Sequence, residues 1–199
     1  MGTMTIGQAE SRRHPLTVDD LARTPDDGKR YELVDGRLDV SPAPMYPHTL
    51  IESRLMIHLG VSAPEEFTVL TGPGINFNAD RTHHRIPDVA VIRTEDGEPP
   101  YLTRPPLLAV EVVSPESVFR DHHVKAREYA EFGIPSYWII NPSAEKPGLL
   151  EMRLDDGGYR ESAQVFGQDV FETDVPFPIA IVPHWLIAPG PWKARIAGG

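Results

Sequence analysis

Apolar positions change their period along this chain, and each change marks an element. Tyr31-Glu32-Leu33-Val34 and Arg37-Leu38-Asp39-Val40 alternate on either side of Asp35-Gly36, which predicts a β-hairpin over 31–40. From His48 to Leu59 the period lengthens, and Leu50, Ile51, Leu55 and Leu59 fall near one stripe of an amphipathic helix. Phe67 to Leu70 reads as a strand, broken by Thr71-Gly72-Pro73-Gly74; Ile75 to Asn78 extends it or begins another. Two runs then lose alternation altogether: Ile86-Pro87-Asp88-Val89-Ala90-Val91-Ile92 and Leu107-Leu108-Ala109-Val110-Glu111-Val112-Val113-Ser114. Their β-branched content suits strands buried on both faces. Glu116 to Phe132 is helical, stopped by Gly133 with Pro135 just beyond, and Ser136 to Ile140 is another buried strand. Leu149 to Leu154 and Tyr159 to Val165 predict a second hairpin across 155–158. Leu16 to Arg23 predicts a short helix with Thr17 as N-cap, and the loop from Thr94 to Arg104 is expected to be exposed. The proline-rich tail, Pro176 to Trp192, is expected to pack along the sheet as irregular structure.

The core order is therefore helix, three strands, helix, strand, with added hairpins. The helix between the Glu111 strand and the Trp138 strand permits a parallel crossover. The expected fold class is α/β or α+β with a mixed sheet, one domain over 16–199 after a flexible lead-in over 1–15. A chain of 199 residues can bury a real core. No apolar run approaches the roughly 20 residues of a membrane span, and the N-terminus lacks the apolar centre of a secretory signal. The absence of cysteine excludes disulfides and thiolate zinc sites and fits a cytoplasmic location. A formal charge of −10 argues against broad electrostatic binding of nucleic acid. A nuclease of this charge needs basic residues confined to one cleft, or metals that offset its acids.

Asp88 and Glu111 each interrupt a run whose other residues are apolar. A buried carboxylate without a partner costs several kcal/mol, so each calls for a compensating cation. Lys125 stands on the following helix, four residues after Asp121 and four before Tyr129, so the three share a face. Taken alone, that spacing describes a solvated helix face with a local ion pair. The short turn Ser114-Pro115-Glu116 instead returns the helix over the end of the Glu111 strand. Two strand carboxylates and a lysine form the smallest set that can hold a divalent metal and act on a phosphodiester.

Several segments in this order resemble the Uma2 family of restriction-endonuclease-like proteins, within the PD-(D/E)XK nuclease superfamily. They are Tyr31-Glu32-Leu33-Val34-Asp35-Gly36, His48 opening its helix, Pro87-Asp88-Val89, Glu111-Val112-Val113-Ser114-Pro115, then Asp121, Lys125 and Tyr129, and Gly133-Ile134-Pro135-Ser136-Tyr137-Trp138-Ile139. The resemblance spans about residues 16 to 188 and implies a restriction-endonuclease-like core, a DNA substrate and a metal site at Asp88 and Glu111. The superfamily's lysine would stand where this chain has Val113; in Uma2-like relatives a lysine on the next helix takes its place, here Lys125. Hard oxygen ligands suit Mg²⁺, with Mn²⁺ as a substitute. The Val112 backbone carbonyl is expected to complete the metal shell. Glu52 is a candidate extra acid and equally an exposed helix glutamate. Glu32 and His48 are candidates to line the cleft, and equally a hairpin anchor and a helix cap.

Other signals weigh less. Neighbours in the pairs His83-His84 and His122-His123 diverge, so neither pair chelates well. Thr71-Gly72-Pro73-Gly74 lacks the spacing and lysine of a phosphate loop, and no nucleophile elbow is present. Tyr137 and Trp138 lie inside an apolar run and read as core. The function expected from the resemblance is Mg²⁺-dependent endonucleolytic hydrolysis of DNA. The alternative is a binding or regulatory module that keeps the fold without catalysis, favoured by the acidic balance and the displaced lysine. Analogy with enzymes that cut both strands implies a homodimer, with the tail and the Tyr101 loop as candidate contact surfaces.

Overall fold

The computed structural model describes residues 14–113 and 120–199, and the side chains of 120–122 are outside that description. Most of the expected lead-in and the turn at 114–116 therefore lie outside the described residues. The described elements run α1 (Val18–Leu21), β1 (Arg30–Val34), β2 (Arg37–Ser41), α2 (Tyr46–Ser62), β3 (Phe67–Thr71), β4 (Ile75–Asn76), β5 (His84–Arg85), β6 (Val89–Arg93) and β7 (Leu108–Val112). A π-helical segment, Arg120–Lys125, leads into α3 (Ala126–Phe132), followed by β8 (Ser136–Asn141), β9 (Gly148–Asp155), β10 (Gly158–Phe166), β11 (Phe171–Thr173), β12 (Ile179–Ile181), α4 (His184–Ile187) and α5 (Trp192–Arg195). None of the described helices is long and apolar enough to cross a membrane.

Six strands form the main sheet in the order β10-β9-β8-β7-β6-β3. Neighbours are antiparallel except β7 and β8, which pair in parallel as the intervening helix allows. On one face, Val89, Val91, Val110, Val112, Trp138 and Ile140 pack against Ile51, Leu55 and Leu59 of α2. On the other, Ala109, Val113, Tyr137 and Ile139 pack against Ala126 and Tyr129 at α3. Tyr137 and Trp138 are fully buried, as core residues are. A second sheet, β2-β1-β5-β4, is built on the first hairpin, with Asp35 and Gly36 both at positive φ in its tight turn. The chain passes from this sheet to the large one through Ile86-Pro87-Asp88, between β5 and β6.

Four expectations need correction. The tail is not irregular: β12 pairs with β11, and Phe177, Ile179, Ile181, Leu186 and Ile196 enter the main core. The helix of α2 runs from Tyr46 to Ser62, and Arg54 is buried on it where Leu50 is only half-buried. One terminal nitrogen of the Arg54 guanidinium donates to the carbonyls of Trp185 and Ala188, which ties α2 to the tail. Asp88 precedes β6 rather than standing inside it. The 94–104 loop is only partly exposed, because Leu102 bridges to Ile75 and Tyr101 packs edge-on against His84.

Candidate active site

Strand register brings the two acids together. Val89 pairs with Val110 and Ala90 with Ala109, and the Asp88 amide donates to the Val110 carbonyl at 3.0 Å, so Asp88 meets β7 next to Glu111. Glu111 shares a sheet face with Ala109 and Val113, the face covered by α3, whereas Asp88 is met by Arg30 of β1 and His48 of α2.

Asp88 has no exposed surface and uses both oxygens. Oδ2 accepts from the Val112 amide at 2.7 Å, and Oδ1 accepts from an Arg30 guanidinium nitrogen at 2.5 Å. His48 Nε2 lies 3.1 Å from the same Oδ1, out of line for a hydrogen bond, so the contact is one of charge. Burial alone would raise the Asp88 carboxyl; the His48 and Arg30 contacts and the Val112 amide outweigh it and hold the group at about 2. Burial likewise opposes charge on His48, yet the facing carboxylate raises its pKa. Glu52, one turn further along α2, is half-buried; burial first and the Asp88 charge second push its carboxyl up.

Glu111 Oε1 accepts from Lys125 Nζ at 2.7 Å and from the Tyr129 hydroxyl at 2.6 Å. Lys125 and Tyr129 reach one oxygen because they stand one turn apart where the π-helical segment passes into α3. Lys125 is itself buried, 3.9 Å from Glu32 Oε1. Burial and the Glu111 charge raise the Tyr129 hydroxyl well above its ordinary value, so it stays a donor.

Glu32 fixes the small sheet to this site. Its Oε1 accepts from the Ile86 amide at 2.7 Å, two residues before Asp88. Across the hairpin Glu32 pairs in register with Asp39, two like charges reconciled by Arg85. Arg85 is 1% exposed and donates from two nitrogens to Glu128 of α3, at 2.7 and 2.9 Å. Burial opposes ionisation of Glu128, but His83 and Arg85 hold it at about 2.

Of the residues expected from sequence, Asp88, Glu111, Lys125, Tyr129, Glu32, His48 and Glu52 therefore gather around one junction between the sheets. Val112 contributes its amide to Asp88. The Asp121 side chain lies outside the described residues. Sequence reasoning missed Arg30, Arg85 and Glu128. Arg85 had a signal, a charged residue two positions before Pro87-Asp88; Arg30 had none nearby, being 58 residues from its partner.

No group of three or more His, Cys, Asp or Glu among the described residues is arranged to hold a metal ion. The donor chemistry nevertheless fits a hard dication that keeps several waters, which needs only one or two protein carboxylates. Asp88, just before β6, and Glu111, on β7, are the two that could supply them.

The helix, three strands, helix and strand around this site define a nuclease-like fold. A crystal structure from Anabaena variabilis, described as "a putative nuclease belonging to DUF820", shares that fold at a TM-score of 0.60 and 16% identity, covering 80% of this chain and 89% of that one. The family model Uma2, described as "Putative restriction endonuclease", matches residues 18–182, and the chain belongs to this family. Family membership points to a nuclease and to nucleic acid as partner. No curated protein matches the chain.

Proposed function

We propose that the protein is a Mg²⁺-dependent endonuclease that hydrolyses DNA phosphodiesters at Asp88, Glu111 and Lys125. The observation that supports this most is two buried carboxylates at neighbouring segments of the sheet, with a buried amine 2.7 Å from one of them. Asp88 and Glu111 would hold the cation, with Mn²⁺ able to replace it. The bound cation supplies a polarised phosphate and an activated water.

The chain's own residues do the rest. The Val112 amide and the β6–β7 register hold Asp88 rigid, so its oxygen needs no reorganisation on binding. Lys125 brings a positive charge to offset the one that develops on the phosphate. Tyr129 orients Glu111 by donating to the oxygen that Lys125 also contacts. Glu52, whose carboxyl burial and the Asp88 charge push up, would serve as a proton donor or a further acid. Without cysteines the fold suits a reducing cytoplasm, and cutting both strands would call for a homodimer.

One observation favours the alternative of a nuclease fold that binds without cleaving: Arg30 already neutralises Asp88 at 2.5 Å. Titration calorimetry with Mg²⁺ and a plasmid cleavage assay separate the two. Binding lost in both Asp88→Ala and Glu111→Ala, with cleavage lost in Lys125→Ala, is expected. Mg²⁺ binding unchanged in both acid variants would end the metal-site reading, and nucleic acid bound but never cut would favour the alternative.

A further inference from the structure

Arg30 is the part of the site that the nuclease reading leaves without work. One terminal nitrogen donates to Ile86 O at 3.1 Å and to Asp88 Oδ1 at 2.5 Å. Among the described residues its other guanidinium nitrogens make no hydrogen bond, and the side chain is 24% exposed. One edge of the fork is thus bound to the site while the other stays open. Two N–H groups on a flat, open edge match the geometry of a phosphate.

Asp88 Oδ2 is engaged by the Val112 amide, so Oδ1 is the oxygen through which Asp88 meets a cation. Arg30 and His48 already face it. A dication at Oδ1 would bring two positive charges within a few ångström where water screens them poorly. Guanidinium cannot shed its proton to relieve the repulsion. Asp88 is wholly enclosed, whereas Arg30 is long and 24% exposed, so of the two it is the side chain with room to move.

Resting on the nuclease reading, we propose that Arg30 and the divalent cation take Asp88 Oδ1 in turn, and that the displaced guanidinium binds the substrate phosphate. Arg30 neutralises Asp88 while the metal is absent, which keeps a buried acid from standing unpaired. Arrival of the cation converts the same side chain into a phosphate ligand. DNA contact and metal loading are then coupled through one residue.

The test is Arg30→Met in the full chain, with two readouts at zero and at saturating Mn²⁺. Thermal unfolding of the metal-free variant should fall below that of the native protein, and Mn²⁺ should erase the difference. By linkage, the variant binds Mn²⁺ more tightly, about tenfold. Anisotropy with a hydrolysis-resistant phosphorothioate DNA duplex should show binding weakened about tenfold by the substitution in Mn²⁺ and unchanged without it. A stability deficit of equal size with and without Mn²⁺, or duplex binding weakened equally in both, overturns the exchange while leaving the metal site standing. Failure of the native protein to bind Mn²⁺ overturns both. Should Arg30→Met not fold, Arg30→Lys keeps the charge without the flat fork, and its smaller deficit must also vanish in Mn²⁺.

Discussion

Two buried acids in the main sheet, Glu111 and Glu151, have similar surroundings and different meanings. Glu151 is 2% exposed, and its Oε1 is met by Arg153 at 2.8 Å, Trp138 Nε1 at 3.1 Å, Thr173 Oγ1 at 3.2 Å and Ser136 Oγ at 3.3 Å. One acid faces one cation and three neutral donors, and the cluster ties β8, β9 and β11 together. Glu111 is 3% exposed, but Asp88 lies just before the neighbouring strand with Arg30 acting on both acids, and Glu32 approaches the same lysine. Burial of a carboxylate is thus no functional sign by itself. Acids crowded against one another, with cations at the boundary, are what a structural cluster avoids and a metal site requires.

The largest difference between the two regions should appear in cleavage. Replacing Lys125 with Met should lower the plasmid-cleavage rate by about 10²–10³-fold, the scale of losing one preorganised charge from a transition state. The same assay on Arg153→Met should change little; a comparable loss there would erase the distinction. Stability should rank the acids in the reverse order. Glu151→Ala removes the counter-charge facing Arg153 and the acceptor of Trp138, and urea titration should register a loss on the order of 3 kcal/mol with cleavage intact. Glu111→Gln keeps an acceptor for Tyr129, and Glu32 stands 3.9 Å from Lys125. It should cost about 1 kcal/mol and abolish cleavage.

A smaller effect concerns pH. His84 is 1% exposed and donates from Nδ1 to Asn76 Oδ1 at 2.8 Å, in the small sheet beside the site. Burial lowers its pKa to about 4, so the folded chain binds this proton less readily than the unfolded chain does. Its stabilising contribution is present above the unfolded value near 6.5 and is lost as pH falls toward 4. The loss should reach about 2 kcal/mol by pH 5. Glu128, held at about 2, adds a further loss below its unfolded value of about 4.5, again toward acid. His84→Gln should flatten the stability curve between pH 6.5 and 4 without moving the part below it; an unchanged slope would assign the acid loss elsewhere.

The core was legible because its signals are local. Asp35-Gly36 fixed one hairpin, Gly133 at φ 93° ended α3, and unbroken β-branched runs gave β6 and β7. The tail was not, because Pro176, Pro178 and Pro183 mask a three-residue strand whose partner, Phe171–Thr173, is equally short. The small sheet was hidden for a similar reason: β4 and β5 have two residues each, too few to show alternation. Within the site, Asp88 and Glu111 announced themselves by interrupting apolar runs. Arg30, the guanidinium on Asp88, did not, because it opens a hairpin strand where a charged residue looks ordinary. Long-range pairing of that kind has no signature in a single chain.

A crystal of the native protein soaked in Mn²⁺ and measured near the manganese edge tests the metal site most directly. Anomalous density about 2.2 Å from oxygens of both Asp88 and Glu111 is expected, with Lys125 still against Glu111. A fully soaked crystal with no density there, and Arg30 still closed on Asp88, would contradict it.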